Sequence, residues 1–154
     1  MDLEKLKQMD NKNEQNRKET KENKMGTPIN EWKAQLNSER FENKLQKELE
    51  DEVNGGDRLS IRFIIGDSVR HYDGASYIRL YGRFNYWENC IIGVQLSIDD
   101  YYYNSDDIEK LAKSMYEMLK NKLIELGFII TKEDGEVECE YSTEKEVTLY
   151  LKVR

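Results

Sequence analysis

Four carboxylates and three phenols stand within nine residues at Asp99-Asp100-Tyr101-Tyr102-Tyr103-Asn104-Ser105-Asp106-Asp107. These side chains suit recognition better than bond-making chemistry. Tyrosine offers a large contact area at low entropic cost and is enriched at protein interfaces. Carboxylates steer a basic partner and speed its association. The plainer role for the same residues is a solvated loop that caps a following helix. A calcium loop is disfavoured, because alternating acidic ligands, a central glycine and a distal glutamate are missing.

A second acidic group is Glu133, Asp134, Glu136, Glu138, Glu140, Glu144 and Glu146. On a strand, alternate glutamates on one face stand about 7 Å apart. That is close to every second phosphate of a nucleic-acid strand, at about 3.4 Å per phosphate. Such a row would resemble a nucleic-acid backbone to a basic groove, or would simply keep an exposed face soluble. Tyr77, Arg79, Tyr81 and Arg83 alternate in a third group. Interleaved aromatics and arginines stack on bases or hold an acidic partner, and equally serve as ordinary cross-strand pairs. Asp67, Ser68, His71 and Asp73 share one segment but lack the glycine pattern of a nucleophile elbow. His71 is the single histidine, and Cys90 and Cys139 lie far apart with no CxxC spacing. Catalysis, a metal site, a cofactor and a disulfide framework are therefore not expected.

The chain has 154 residues, 24 basic and 31 acidic, for a net charge of −7. An acidic chain repels nucleic acid and anionic lipid, so neither direct nucleic-acid nor membrane binding is expected. No apolar run reaches the ~18–20 residues of a membrane span, and Met1–Asp10 lacks the apolar core of a secretory signal. These features point to a cytoplasmic protein, in the host cell if phage-encoded.

The elements that must position these groups follow from the apolar periodicity. Asp10–Lys24 holds no apolar residue, so residues 1–26 are expected to form a disordered or loosely helical arm with a net charge of +1. Thr27 and Pro28 suit an N-cap and a first helical position. Ile29, Trp32, Leu36, Phe41, Leu45, Leu49 and Val53 then predict a helix ended by Asn54-Gly55-Gly56-Asp57, although the step from Leu36 to Phe41 shifts the stripe. Period-two patterns over Leu59–Ile65, Tyr77–Tyr86 and Cys90–Ile98 predict an antiparallel meander. Ile108, Leu111, Ala112, Met115, Leu119, Leu123 and Leu126 predict a helix over 105–126 stopped by Gly127. Phe128–Lys132, Val137–Tyr141 and Val147–Val153 predict three more strands around the Asp134-Gly135 turn. The expected fold is α+β, helix–three strands–helix–three strands, with two helices on an antiparallel sheet. Residues 27–154 form a single domain.

The expected function is protein binding, not catalysis. A small acidic inhibitor would occupy the basic, nucleic-acid-binding surface of a partner, itself a nucleic-acid-binding enzyme. Asp99, Asp100, Tyr101, Tyr102, Tyr103, Asp106, Asp107, Glu136, Glu138 and Glu140 would form the contact. Phage inhibitors of defence nucleases such as anti-CRISPR proteins, immunity proteins against nuclease toxins, and acidic secretion chaperones share this physics. No motif assigns the chain to any of them. The alternative is a phage structural or assembly subunit, of tail or neck type, that acts by forming homo-oligomers.

Overall fold

The structure is a computed structural model and describes residues 1–66, 69–70, 76–83, 92–97, 105–139 and 144–154. It begins with α1, Leu3–Leu36, a single helix of 34 residues. Asp2 caps it by accepting from the Lys5 amide at 3.0 Å. Straight-chain Glu, Lys, Gln and Arg favour the helix, and Glu14 with Lys18 and Lys18 with Glu22 keep the spacing of surface ion pairs. Residues 3–26 belong to this helix. One expectation is corrected, since Thr27–Pro28 does not start a helix. Pro28 sits inside α1, where it cannot donate to the carbonyl four residues back.

The stripe shift between Leu36 and Phe41 has a structural cause, because the chain breaks there. Asn37 closes α1, and Ser38 caps α2, Glu39–Asn54, by accepting from the Phe41 amide. Ser38 also donates its hydroxyl to the Gln35 carbonyl at 2.6 Å. The expected single helix is thus two, and three helices, not two, cover the sheet. Gly56, at φ +82°, turns the chain out of α2.

The strands are β1 Ser60–Ile65, β2 Val69–Arg70, β3 Ser76–Arg83, β4 Ile92–Ser97, β5 Phe128–Asp134 and β6 Lys145–Val153, with α3, Ser105–Glu125, between β4 and β5. All pairings are antiparallel, and β6 inserts between β1 and β5. On β3, Tyr77 pairs with Val69 on one edge and Ser97 on the other. β2 therefore continues along the edge that β1 uses, and the ribbons run β4-β3-β1-β6-β5.

Ile61, Phe63 and Ile65 of β1 lie opposite Leu149, Val147 and Lys145 of β6 in register. Pairs directly opposite share a face, and this face carries the core. Trp32 and Leu36 of α1, Phe41, Leu45 and Leu49 of α2, and Ile108, Leu111, Met115, Leu119 and Leu123 of α3 are buried in one cluster with it. Trp32 is fully buried, meets Phe63 edge-on at 5.9 Å, and donates its indole N–H to the Met115 carbonyl at 3.0 Å. That bond ties α1 to α3 and satisfies the one polar atom of the ring. Gln35 binds Gly93 of β4 through both its amide groups, each at 2.9 Å.

Only two strands follow α3 among the described residues. Glu136–Cys139 pairs with no strand. Its alternation has another cause, since Val137 and Cys139 pack against the core cluster. The Cys139 amide also donates to Glu109 of α3 at 3.4 Å. Gly135, at φ +114°, passes so close to the backbone of Glu146 that a Cβ there would collide with it.

Candidate functional site

Along α3 the residues three and four apart form stripes. The apolar stripe is buried, and the opposite face carries Asp106, Glu109, Lys113 and Glu117. The segment after Gly135 lies beside that face. A groove results, lined by Glu109, Lys113, Tyr116, Glu117, Glu136 and Glu138. Four carboxylates and one lysine thus line it, with Lys113 3.6 Å from Glu109.

The floor of the groove is held by Tyr116, Lys120 and Glu133. Tyr116 is only 7% exposed, packs on Phe63 at 5.4 Å between ring centres, and donates its hydroxyl to the Glu133 carboxylate. Lys120 reaches Glu117 at 2.8 Å and Glu133 at 3.0 Å, with its ammonium 4.7 Å from the centre of the Tyr116 ring. Burial and then the Glu133 hydrogen bond push the Tyr116 phenol far above its ordinary range. Hydrogen bonds from Tyr116 and then Lys120 hold the Glu133 carboxyl below the usual carboxylate range. Burial opposes the charge on Lys120, but Glu117 and Glu133 outweigh it and raise its pKa. Burial, and next the nearby Glu109, pushes the Cys139 thiol up, which keeps it protonated and a poor nucleophile.

Of the residues expected to contact a partner, the structure brings three to this side of the molecule. Asp106 is exposed in the first turn of α3, where the helix dipole favours an anion. Glu136 and Glu138 line the groove, Glu138 lying 4.0 Å from Lys145. They are not on a strand, so the expected 7 Å row of a strand face is absent at these positions. Asp107 is only 8% exposed and is engaged within the fold. Asp99, Asp100, Tyr101, Tyr102, Tyr103 and Glu140 lie outside the described residues, as do Asp67, Ser68, His71 and Asp73. Tyr81 and Arg83 stand in register with Ile64 and Arg62. Glu109 and Glu117 were missed by sequence reasoning, although the helical spacing from Asp106 places them on one stripe.

Among the described residues no group of three or more His, Cys, Asp or Glu is arranged to hold a metal ion. No described helix is long and apolar enough to cross a membrane. Compared with known family models, curated proteins and solved structures, the chain matches none of them.

Proposed function

We propose that the protein is a small acidic binding protein that presents the α3 groove to a basic surface of a partner. By occupying that surface it inhibits a nucleic-acid-binding enzyme, as phage anti-defence proteins of the anti-CRISPR kind do. The observation that carries this reading is the groove itself, lined by Glu109, Glu117, Glu136 and Glu138 with Lys113, on a chain of net charge −7. The carboxylates lie on a helix and on a segment packed against it, so they are held in place before any partner arrives. Such preorganised charge favours fast, salt-sensitive association.

The test compares the wild type with a Glu109→Gln, Glu117→Gln, Glu136→Gln, Glu138→Gln variant. Both would capture partners from nuclease-treated bacterial lysate and be eluted on a salt ladder. The wild type should retain a near-stoichiometric nucleic-acid-binding protein that the variant does not. Equal recovery by both would remove the groove from the contact.

A second reading is favoured by α1. Residues 1–19 are exposed throughout, and the last turns of the helix, from Ile29 to Leu36, pack on the body. A projecting helix of this kind suits a structural or assembly subunit that acts by oligomerisation.

A further inference from the structure

Glu48, Asp51 and Glu52 stand three and four positions apart, so they share one stripe of α2. Gly56 turns the chain back beside that stripe, and the Ser60 amide donates to Glu52 at 2.9 Å. Asp57 and Arg58 follow the turn. Arg62 lies two residues beyond Ser60, on the same side of β1. Tyr150 of β6 stands opposite Ser60 in register. These groups line a pocket of about 430 Å³, a size that suits a small ligand.

The lining holds charge of both signs that the fold leaves unjoined. Glu48, Asp51, Glu52 and Asp57 supply four carboxylates, and Arg58 and Arg62 supply two guanidiniums. Among the described residues no ion pair joins either arginine to any of the four acids. The Nε of Arg62 is buried and has no hydrogen-bond partner. A buried donor without an acceptor is costly, and native structures rarely keep one. Glu52 is in the converse position. Burial raises its pKa above the ordinary carboxylate range, although the Ser60 amide and hydroxyl both donate to it. The charge of Arg62 offsets this least of all. The pocket thus lacks an anion at Arg62 and a cation at Glu52.

The geometry points to a small basic amino acid as the ligand of this pocket, with its carboxylate on Arg62 and its cationic groups on Glu48, Asp51 and Glu52. A ligand of a single charge sign answers only part of the lining. An anion alone would meet four carboxylates, and a cation alone would leave the Arg62 Nε without an acceptor. Four acids against two arginines also leave two negative charges in excess. A cationic side chain answers that excess, and a neutral amino acid does not. Hydrogen bonds between guanidinium and carboxylate are charge-assisted, so they are among the strong ones. The Tyr150 ring offers the cationic side chain a further favourable surface. The pocket shares no lining residue with the α3 groove, so the inference goes beyond the proposed function and does not rest on it.

Calorimetric titration of the full chain with L-arginine, agmatine and L-citrulline provides the test. Agmatine keeps the guanidinium but lacks the carboxylate. Citrulline keeps the carboxylate and the α-ammonium but has a neutral side chain. Arginine should bind, and each analogue should bind about tenfold more weakly or worse, the cost of one lost charge-assisted contact. Two variants locate the site, and circular dichroism checks that each folds. Glu48→Gln, Asp51→Asn should weaken arginine by about tenfold. Arg62→Lys removes the Nε donor and should weaken arginine while leaving agmatine unchanged, a split that loss of structure would not produce. No binding of arginine at millimolar concentration overturns the proposal. Agmatine binding as tightly as arginine removes the carboxylate contact, and citrulline binding as tightly removes the cationic one. Either result overturns the basic amino acid as ligand. Arginine binding that neither variant changes places the ligand elsewhere and overturns this pocket as its site.

Discussion

Glu133 is the residue on which the floor of the α3 groove depends, and its charge gives that floor a pH dependence. Tyr116 and Lys120 lower its pKa. A carboxyl whose folded pKa is depressed contributes stability that is complete above the unfolded value and lost as pH falls through the folded one. Glu133 is 44% exposed, so solvent screens the interaction and the contribution stays below about 1 kcal/mol. Glu133→Gln should therefore lower the urea midpoint slightly at neutral pH. The gap should close as the pH drops below the usual carboxylate range of about 4. A gap that persists in acid would assign the loss to packing and not to charge. At this scale the sequence was only partly informative. The acidic residues were visible as a group, but their partners were not. Nothing local connects Tyr116 to Glu133 or Glu109 to Cys139, because each pair is joined by the packing of a helix against a distant segment.

At the scale of elements, local signals were the most reliable. The periodicity of α3 predicted a helix over 105–126, and the helix spans Ser105–Glu125. Its register is set by which side chains one face must bury, and that is written in neighbouring residues. The break between α1 and α2 was also recorded, as the five-residue step from Leu36 to Phe41. Ser38 was the missed sign of a new N-terminus. Ser38→Ala removes the acceptor for the Phe41 amide and should cost about 1 kcal/mol, read as a lower thermal midpoint with the fold retained. No change would mean that another group satisfies that amide. The alternation of Val137 and Cys139 misled in the opposite direction. Period two marks side chains that point alternately inward and outward, and an extended segment packed on a helix shows it as readily as a paired strand does.

For the whole molecule, the long helix α1 divides a projecting arm from the part that packs. Removing residues 1–19 takes away only exposed side chains, and among the described residues α1 joins the core cluster from Ile29 onward. The truncated protein should keep its urea midpoint to within about 0.5 kcal/mol while its helical ellipticity per chain falls. A substantially lower midpoint would show that the arm supports the body. The sequence by itself determined the mixed α+β composition, the α3 helix, most strand positions and the acidic balance. Those follow from side-chain periodicity and charge, which neighbours in the chain decide. Only the tertiary structure decided that β6 lies between β1 and β5, that Glu136 and Glu138 stand beside Glu109 and Glu117, and that Glu48, Asp51 and Glu52 share a pocket with Arg62. These depend on which distant segments bury their apolar faces against one another, and that choice is made by the core as a whole.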